Sequence, residues 1–149
     1  MGSVQSFDRI KVELHRGGTL KMGGYNQNRG TLHLVVDGGK LSIGNHCFFN
    51  TGSCVTCLDE VVIGDRCKFG NNLVIVDHDH NYRRASDSEP EFVSSPIRIG
   101  DDTWVGANVV ILRGTTIGKH CVIGAGSVVK GEIPDNTVLV QKRETTTGV

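Results

Sequence analysis

The sequence predicts an all-β fold, a parallel β-helix built from six-residue repeats. Three observations indicate this fold. Ile or Val recurs at every sixth position through the C-terminal half, the 149 residues include 20 glycines but only 3 prolines, and no segment has the 3.6-residue apolar spacing of a long helix. Short strands separated by tight turns are therefore expected.

The clearest repeats run from Ile99 to Pro134. They read IGDDTW, VGANVV, ILRGTT, IGKHCV, IGAGSV and VKGEIP, so the first residue is always Ile or Val, the second is usually Gly and the fifth is mostly small. One unit supplies a short strand and a turn, and three units form a triangular coil whose first-position side chains point inward. Stacked coils pair as parallel strands, and contacts between neighbouring coils provide most of the stability.

The middle of the chain carries the same pattern in two blocks. One begins at Ile43 with IGNHCF, FNTGSC and VTCLDE, and the other begins at Ile63 with IGDRCK, FGNNLV and IVDHDH. Val61 and Val62 are extra residues between the blocks, and we expect them to bulge at a corner. We interpret residues 19–41 as an imperfect first coil.

The repeat is interrupted once. The phase set at Ile63 would place Asn81 and Asp87 in the core, where polar side chains are unfavourable, and the phase resumes at Ile99. We therefore predict that a loop of about residues 81–96 is extruded from the helix. A long loop on a rigid scaffold is a common location for function.

These boundaries predict one domain. An N-terminal segment of residues 1–18 is followed by the β-helix of residues 19–134, with the loop inside it, and by a polar C-terminal tail of residues 135–149.

Charge and hydropathy exclude several classes of protein. The 16 basic and 16 acidic residues balance to zero net charge, and no cluster of one sign dominates. This argues against a nucleic-acid partner, because a phosphate backbone requires a basic face. No apolar run is long enough to span a membrane, so we expect no membrane span. Five cysteines, an odd number in a sequence that no signal peptide opens, indicate reduced thiols and a cytoplasmic protein.

The cysteines are interpreted as reduced and structural. Cys47, Cys67 and Cys121 fall at the small fifth position, where a core residue is expected. Cys54 and Cys57 have the Cys-x-x-Cys spacing of a metal or redox site, which is the alternative interpretation. No second pair stands at zinc-finger spacing, and this favours the structural interpretation.

Two histidines stand at the root of the predicted loop, in VDHDHNYRR. His78 is the fourth residue of its unit, so its ring is expected to face outward at an edge, beside the loop. Imidazole is suited to proton transfer near neutral pH, so His78 and His80 are candidate acid–base residues; the alternative is that both are solvated turn residues. Asp77 or Asp79 could orient the ring, and each could equally be a solvated turn residue.

The only tryptophan, Trp104, follows the loop in DDTWVGANV. It is the sixth residue of its unit and is expected to face outward. An exposed indole favours contact with a ligand or a neighbouring subunit over idle exposure.

The repeats and the motif IVDHDHNY resemble the hexapeptide-repeat acyltransferases over about residues 30–136. The resemblance implies a left-handed β-helix, an exception to the usual crossover rule. It also implies direct transfer from acetyl-CoA to a hydroxyl of a sugar or of a surface or capsular polysaccharide, with no metal. His78 aligns best with the catalytic histidine of the family's sugar O-acetyltransferases, where it would act as the general base that deprotonates the acceptor hydroxyl, and His80 is the fallback.

The same resemblance implies the binding residues. Trp104 would lie near the acceptor or pantetheine channel, Ala107 and Ala125 along the pantetheine arm, and Lys130 near the nucleotide end of CoA. Asn50, in FFNTGS, matches a position that often binds the acceptor. The alternative is that the small residues only allow the chain to turn and that Lys130 is only a solvated charge.

The resemblance has two further implications. Family members often end in GNPAKVIR, whose basic residues approach CoA, whereas this chain has VLVQKRE, so Lys142 and Arg143 are the candidates for that contact. Family members are typically homotrimers with an active site in each cleft, so we expect a homotrimer in which His78 faces the coils of a neighbour.

Two other functions compete with this interpretation. A zinc enzyme resembling the γ-carbonic anhydrases would need three histidine ligands, for which His78, His80 and His120 are candidates, although their spacing does not match that family well. A non-catalytic β-helix used as an assembly scaffold would bind no CoA.

Overall fold

The computed structural model describes residues 6–148, and all regular secondary structure in that range is β-strand. In chain order the strands are β1 (Ser6–His15), β2 (Thr19–Met22), β3 (Gln27–Asp37), β4 (Lys40–Ile43), β5 (Phe48–Phe49), β6 (Ser53–Cys57), β7 (Glu60–Ile63), β8 (Lys68–Phe69), β9 (Val74–Val76), β10 (His78–His80), β11 (Phe92–Ser94), β12 (Ile97–Ile99), β13 (Trp104–Val105), β14 (Val110–Leu112), β15 (Thr116–Ile117), β16 (Val122–Ile123), β17 (Val128–Val129), β18 (Glu132–Ile133) and β19 (Val138–Leu139).

The strands form three faces, and each coil contributes about one strand to every face. The first face contains β2, β4, β7, β12, β15 and β18, the second contains β5, β8, β13, β16 and β19, and the third contains β6, β9, β14 and β17. Strand β3 spans the second and third faces, because Gln27 and Asn28 pair with β5 while Leu32–Val36 pair with β6. All these pairs are parallel, which confirms the parallel β-helix.

Three corners join the faces. In the coil of β12 to β14, the first corner comprises residues 100–103, the second comprises 106–109 and the third comprises 113–115. The third corner leads from the third face back to the first face of the next coil.

The aliphatic column of the sequence pattern forms the core. The first-position residues of the C-terminal units are at most 2% exposed, and each contributes roughly 1.5–3 kcal/mol through its burial. At the fifth position, buried hydroxyls bond to the backbone: Oγ1 of Thr103 donates to the carbonyl of Gly118 at 3.0 Å. The column consists of Ile99, Val105, Ile111, Ile117, Ile123 and Val129.

Hydrogen-bonded turns stack along the first corner. Oδ1 of Asp101 accepts the backbone N–H of Asp65 at 2.9 Å, and an Asn or Asp repeats this contact in other coils. That hydrogen bond, helped by Lys119, lowers the pKa of Asp101. The contact stabilises a turn in which the following residue is left-handed, with φ of 55° to 60° at Tyr25, His46, Arg66, Asp102, His120 and Asn136.

The expected bulge at Val61 and Val62 is wrong. Strand β7 is unbroken, pairs in register with β4 and β12, and buries Val61. The physical reason is that two residues are one full period of a strand, so the insertion preserves which side chains face the core. The two extra residues lengthen the third face of the coil that precedes β7, where Cys57 extends β6 and faces inward.

Two strands lie outside residues 19–134. Strand β1 pairs along β3 at the N-terminal end of the stack, and β19 pairs with β16 at the C-terminal end. Residues 1–5 of the N-terminal segment lie outside the described range, and the division of the chain into segments stays a prediction.

The structural interpretation of Cys47, Cys67 and Cys121 is supported by their burial in the core. Cys54 and Cys57 lie on opposite faces of β6, one facing outward and one inward, so they do not form a joint site. All five thiols are free.

Candidate active site

A β-hairpin replaces the third corner in the coil of β7 to β9. Strands β10 and β11 pair in antiparallel register, His78 with Ser94 and His80 with Phe92. Residues 82–91 between them are exposed, and the chain re-enters the helix at β12. The predicted extrusion is confirmed, but it begins at His78 rather than near residue 81, and its base is paired strand.

Asp77, the last residue before the hairpin, is completely buried. Its Oδ1 accepts the backbone N–H of Leu58 and its Oδ2 accepts that of Asp59, both at 2.8 Å. These two bonds offset the cost of burying a carboxylate. Burial and the nearby charge of Asp77 raise the pKa of the Cys57 thiol to about 12, which makes this thiol a poor nucleophile at neutral pH.

His78 is held against that carboxylate. Its side chain is only 13% exposed, and its Nδ1 lies 3.1 Å from Oδ1 of Asp77. The ring also meets Phe92 edge to face, at 5.4 Å between centroids and 89° between planes. When Nδ1–H of the neutral ring donates to Asp77, Nε2 carries the free lone pair and can accept a proton.

His80 and Asp79 have different surroundings. His80 is exposed and also packs against Phe92, with 4.7 Å between the two ring centroids. Asp79 accepts a hydrogen bond from Nε of Arg113 at 2.5 Å and therefore orients neither histidine. The structure thus brings His78 together with Asp77 and separates it from Asp79.

Trp104 is on the second face and is 57% exposed, so the predicted outward orientation is confirmed. It lines a depression of about 840 Å³ together with His46, Arg66 and Lys68. Asp102 also lines the depression and accepts a hydrogen bond from Nε of Arg66 at 2.7 Å, so the exposed indole lies in a surface of mixed charge.

Ala107 and Ala125 lie at the second corner in successive coils, and Asn50 lies at the same corner two coils before Ala107. The coils approach closely here: a Cβ at Gly70 would stand 2.6 Å from the backbone nitrogen of Ala107, and one at Gly106 would stand 2.7 Å from that of Ala125. Small residues are therefore required at this corner, and they leave the backbone accessible. Asn50 is half-buried, and its Oδ1 accepts the N–H of Thr51 at 2.8 Å.

Lys130 is exposed at the third corner, on the same edge of the prism as His78. The predicted CoA residues are therefore not gathered at one corner of the chain. His78 and Lys130 lie on one side of the third face, while Ala107 and Ala125 lie on the other side.

Residues of the C-terminal tail pack against the last complete coil. The side-chain amide of Gln141 donates to the carbonyl of Val128 at 2.7 Å and accepts its N–H at 2.9 Å. The guanidinium of Arg143 bonds to the carbonyl of Gly126, beside Ala125, whereas Lys142 is exposed. One of the two candidate basic residues is thus located at the second corner.

Sequence reasoning missed Phe92, Arg113 and Gln141. Phe92 had a usable signal, because it is an aromatic residue in an otherwise polar loop. Arg113 and Gln141 had none, since their partners lie on other coils.

Within residues 6–148, no group of three or more His, Cys, Asp or Glu side chains could hold a metal ion. His120 lies at the first corner, away from His78 and His80. That same part of the chain contains no helix that could cross a membrane.

Two family models match the repeats. The model of the bacterial transferase hexapeptide (six repeats) matches residues 96–131, and that of the hexapeptide repeat of succinyl-transferase matches residues 40–76. These ranges flank the hairpin. These models identify the repeats on both sides of the hairpin as those of the hexapeptide-repeat transferases.

Several relatives are similar to this chain. Galactoside O-acetyltransferase of Escherichia coli K12 is 36% identical over 101 residues, which are 68% of this chain and 50% of that protein. A hexapeptide-repeat acetyltransferase of Vibrio cholerae, solved in complex with acetyl-CoA, superposes with a TM-score of 0.59 and 27% identity over 85% of this chain and 64% of that one. A maltose O-acetyltransferase of Clostridium difficile 630 gives a TM-score of 0.56 and 28% identity over 91% and 63%. This chain spans about half the length of the curated relatives that it matches.

Proposed function

We propose that this chain forms an acetyl-CoA-dependent O-acetyltransferase that acts on a hydroxyl of a sugar or of a surface or capsular polysaccharide. The observation that carries the proposal is the contact between His78 and the buried Asp77 at the root of the hairpin. The names of the Escherichia coli and Clostridium difficile relatives support a sugar acceptor, and the Vibrio cholerae complex supports acetyl-CoA as the donor.

His78 acts as the general base in a direct transfer. As the acceptor oxygen forms its bond to the thioester carbonyl carbon, its proton moves to Nε2 of His78. When the C–S bond of the tetrahedral intermediate breaks, Nε2 returns that proton to the CoA sulfur. A positioned base of this kind contributes about 10²–10⁴-fold to the rate.

Asp77 positions the base. Its two backbone hydrogen bonds fix the carboxylate, and the carboxylate in turn holds Nδ1 of His78 and stabilises the imidazolium that forms during transfer. The edge contact with Phe92 restricts the ring from the hairpin side. The free nitrogen is thereby kept in one orientation before the substrates arrive.

Both donor and acceptor sites are shared between copies. The third corner, with His78, and the second corner, with Ala107 and Ala125, border the third face on opposite sides. In a trimer whose third faces all point toward the symmetry axis, each His78 therefore lies against the second corner of the next copy. CoA then lies along Ala107 and Ala125, near Trp104, with Arg143 at the turn beside Ala125. Lys130 approaches the nucleotide end.

The outward side chains of the faces support this assembly. The row in register along the third face comprises His33, Cys54, Val74, Val110 and Val128. The row along the first face is mostly polar and comprises Lys21, Ser42, Val62, Arg98, Thr116 and Glu132. An apolar row suits an interface between subunits, and a polar row suits solvent.

Asn50 contributes to the acceptor site from the second corner of the neighbouring copy. Its Oδ1 is used by Thr51, and its Nδ2 donates no hydrogen bond within residues 6–148, so the amide is available to a sugar oxygen.

The proposal is tested by measuring the release of CoA thiol from acetyl-CoA in the presence of monosaccharides, oligosaccharides and amino sugars. Acetyl ester on a sugar product is the expected result, and an amide product would indicate N-acetylation instead. A scaffold would bind no CoA. A zinc enzyme would contain about one metal ion per chain on metal analysis.

A further inference from the structure

Strand register places a column of residues at the third corner, above His78. Strand β1 pairs His15 with Asp37. The β3–β6 register ends with Val36 opposite Cys57, so one further residue places Asp37 next to Leu58. The β6–β9 register ends with Thr56 opposite Val76, so two further residues place Leu58 next to His78. We call Asp37, Leu58 and His78, together with Arg16 beside Asp37, the shelf.

Arg16 and Asp37 form a two-pronged ion pair on the shelf. Nε of Arg16 donates to Oδ1 of Asp37 at 2.6 Å, and Nη2 donates to Oδ2 at 2.7 Å. A guanidinium has five N–H donors and a carboxylate has about four acceptor sites, so the pair retains capacity for further hydrogen bonds. Arg16 is exposed and Asp37 is partly exposed.

Electrostatics connect this pair to the candidate base. The hydrogen bond from Arg16 is the main cause that lowers the pKa of Asp37, and the charges of His15 and His78 act in the same direction. The pKa of Arg16 is raised by Asp37 first and also by Glu91, on the returning side of the hairpin. The pair, His78 and the hairpin base therefore surround one surface.

We propose that the shelf binds the acceptor sugar, with Arg16 and Asp37 holding two neighbouring hydroxyls while another hydroxyl of the same sugar reaches Nε2 of His78. This inference rests on the function proposed for His78. The backbones of Asp37 and His78 are two strand spacings apart, which is about 10 Å. The two side chains extend into this gap, and one pyranose ring fits in the space that remains between them. Leu58, half-buried between them, offers apolar surface to the C–H groups of the ring.

The charges of the shelf select the class of sugar. Arg16 and Asp37 neutralise each other, and Glu91 adds a negative charge close to Arg16. An acidic sugar would bring a carboxylate toward a surface without net positive charge, and like charges disfavour its binding. The shelf is therefore specific for a neutral hexose unit rather than a uronic or sialic acid.

The test compares the wild-type protein with Asp37→Asn and Arg16→Gln, with methyl hexosides as acceptors. We expect each variant to raise the KM for the sugar at least about tenfold, the effect of losing one charge-assisted hydrogen bond. The KM for acetyl-CoA should be unchanged. Lys119→Gln is the matched control, because it breaks the ion pair with Asp101 at the first corner, at the opposite end of the first face from the third corner and His78.

Sugar binding measured by saturation-transfer NMR separates this inference from the function on which it depends. If His78→Ala abolishes transfer yet still binds the sugar, and Asp37→Asn loses that binding, both stand. Unchanged sugar KM and binding in Asp37→Asn and Arg16→Gln overturn the shelf while leaving transfer by His78 intact. Preference for acidic over neutral hexosides overturns the assigned sugar class. If the wild-type protein neither binds nor acetylates any of the sugars, both proposals are overturned.

Discussion

Nδ1 of His78 lies 3.1 Å from Oδ1 of Asp77, a carboxylate that has no solvent exposure and accepts two backbone N–H groups from the preceding coil. A buried carboxylate with fixed partners cannot easily rotate away from the ring. The contact therefore determines which nitrogen of His78 faces outward.

Asp77→Asn should lower kcat by roughly tenfold or more, because an amide can donate to Nδ1 and favour the unproductive tautomer. It should also lower the free energy of unfolding by about 1–3 kcal/mol, since one backbone N–H loses a good acceptor. Steady-state kinetics and urea denaturation measure the two effects. Asp79→Asn is the matched control, because Asp79 contacts Arg113 rather than a histidine. An equal loss of kcat in both variants would contradict the positioning role.

Mixed oligomers of His78→Ala and Trp104→Ala chains should regain activity that neither variant has alone. The two residues lie on different sides of the prism, so a cleft between unlike chains can combine an intact His78 with an intact Trp104. Random mixing at equal amounts gives about one quarter intact clefts in a cyclic assembly. Activity of co-expressed chains measures this, and no recovery in a confirmed mixed oligomer would indicate that each site is built within one chain.

Val74→Glu should convert the proposed trimer to monomers and abolish transfer. Val74 stands in the apolar row of the third face, where a carboxylate would be buried without a partner on assembly. Multi-angle light scattering measures the mass of the particle. Thr116→Glu places the same charge in the polar row of the first face and should change neither mass nor activity. A Val74→Glu protein that stays oligomeric would place the interface elsewhere.

Asp101→Asn should weaken the pH dependence of stability in acid. The hydrogen bond from Asp65 and the neighbouring Lys119 lower the pKa of Asp101 in the folded state. A lowered folded pKa stabilises the protein above the unfolded value of about 3.9, and that stability is lost as the pH falls through the folded pKa. The side chain is partly exposed, so the contribution is below about 1 kcal/mol. Asn fits the turn, as Asn45 shows by accepting the N–H of Gly24 at 2.9 Å.

Urea midpoints at pH 7 and at about pH 3, at one protein concentration, check this effect. The difference between the two midpoints should be smaller in Asp101→Asn than in the wild-type protein. Asp87→Asn, at the exposed tip of the loop, is the control that should leave the difference unchanged. An identical difference in Asp101→Asn would contradict the assigned cause.

Much of the fold could be predicted because each repeat encodes its own inward residue. Ile99, Val105 and Ile111 are recognisable one unit at a time, and the loss of phase after Ile75 marks the excursion without any long-range information. The insertion at Val61 was misjudged, because a repeat count does not show whether extra residues bulge or extend a strand.

The details of the site depend on how the coils stack. Asp77 is buried and paired because the N–H groups of Leu58 and Asp59 happen to lie one coil away. The pair of Arg16 and Asp37 joins β1 to β3, in a segment without repeats, so its position beside His78 followed only from strand register. Such contacts across coils have no signature in a local sequence pattern.

The most direct test of the whole account is the turnover of His78→Ala with acetyl-CoA and a sugar that the wild-type protein acetylates. We expect kcat to fall by about 10²–10⁴-fold with the KM for acetyl-CoA unchanged, because the base acts only during transfer. His80→Ala should lose far less, since its exposed ring has no buried carboxylate partner. Wild-type turnover in His78→Ala would contradict the assignment of the general base and the mechanism built on it.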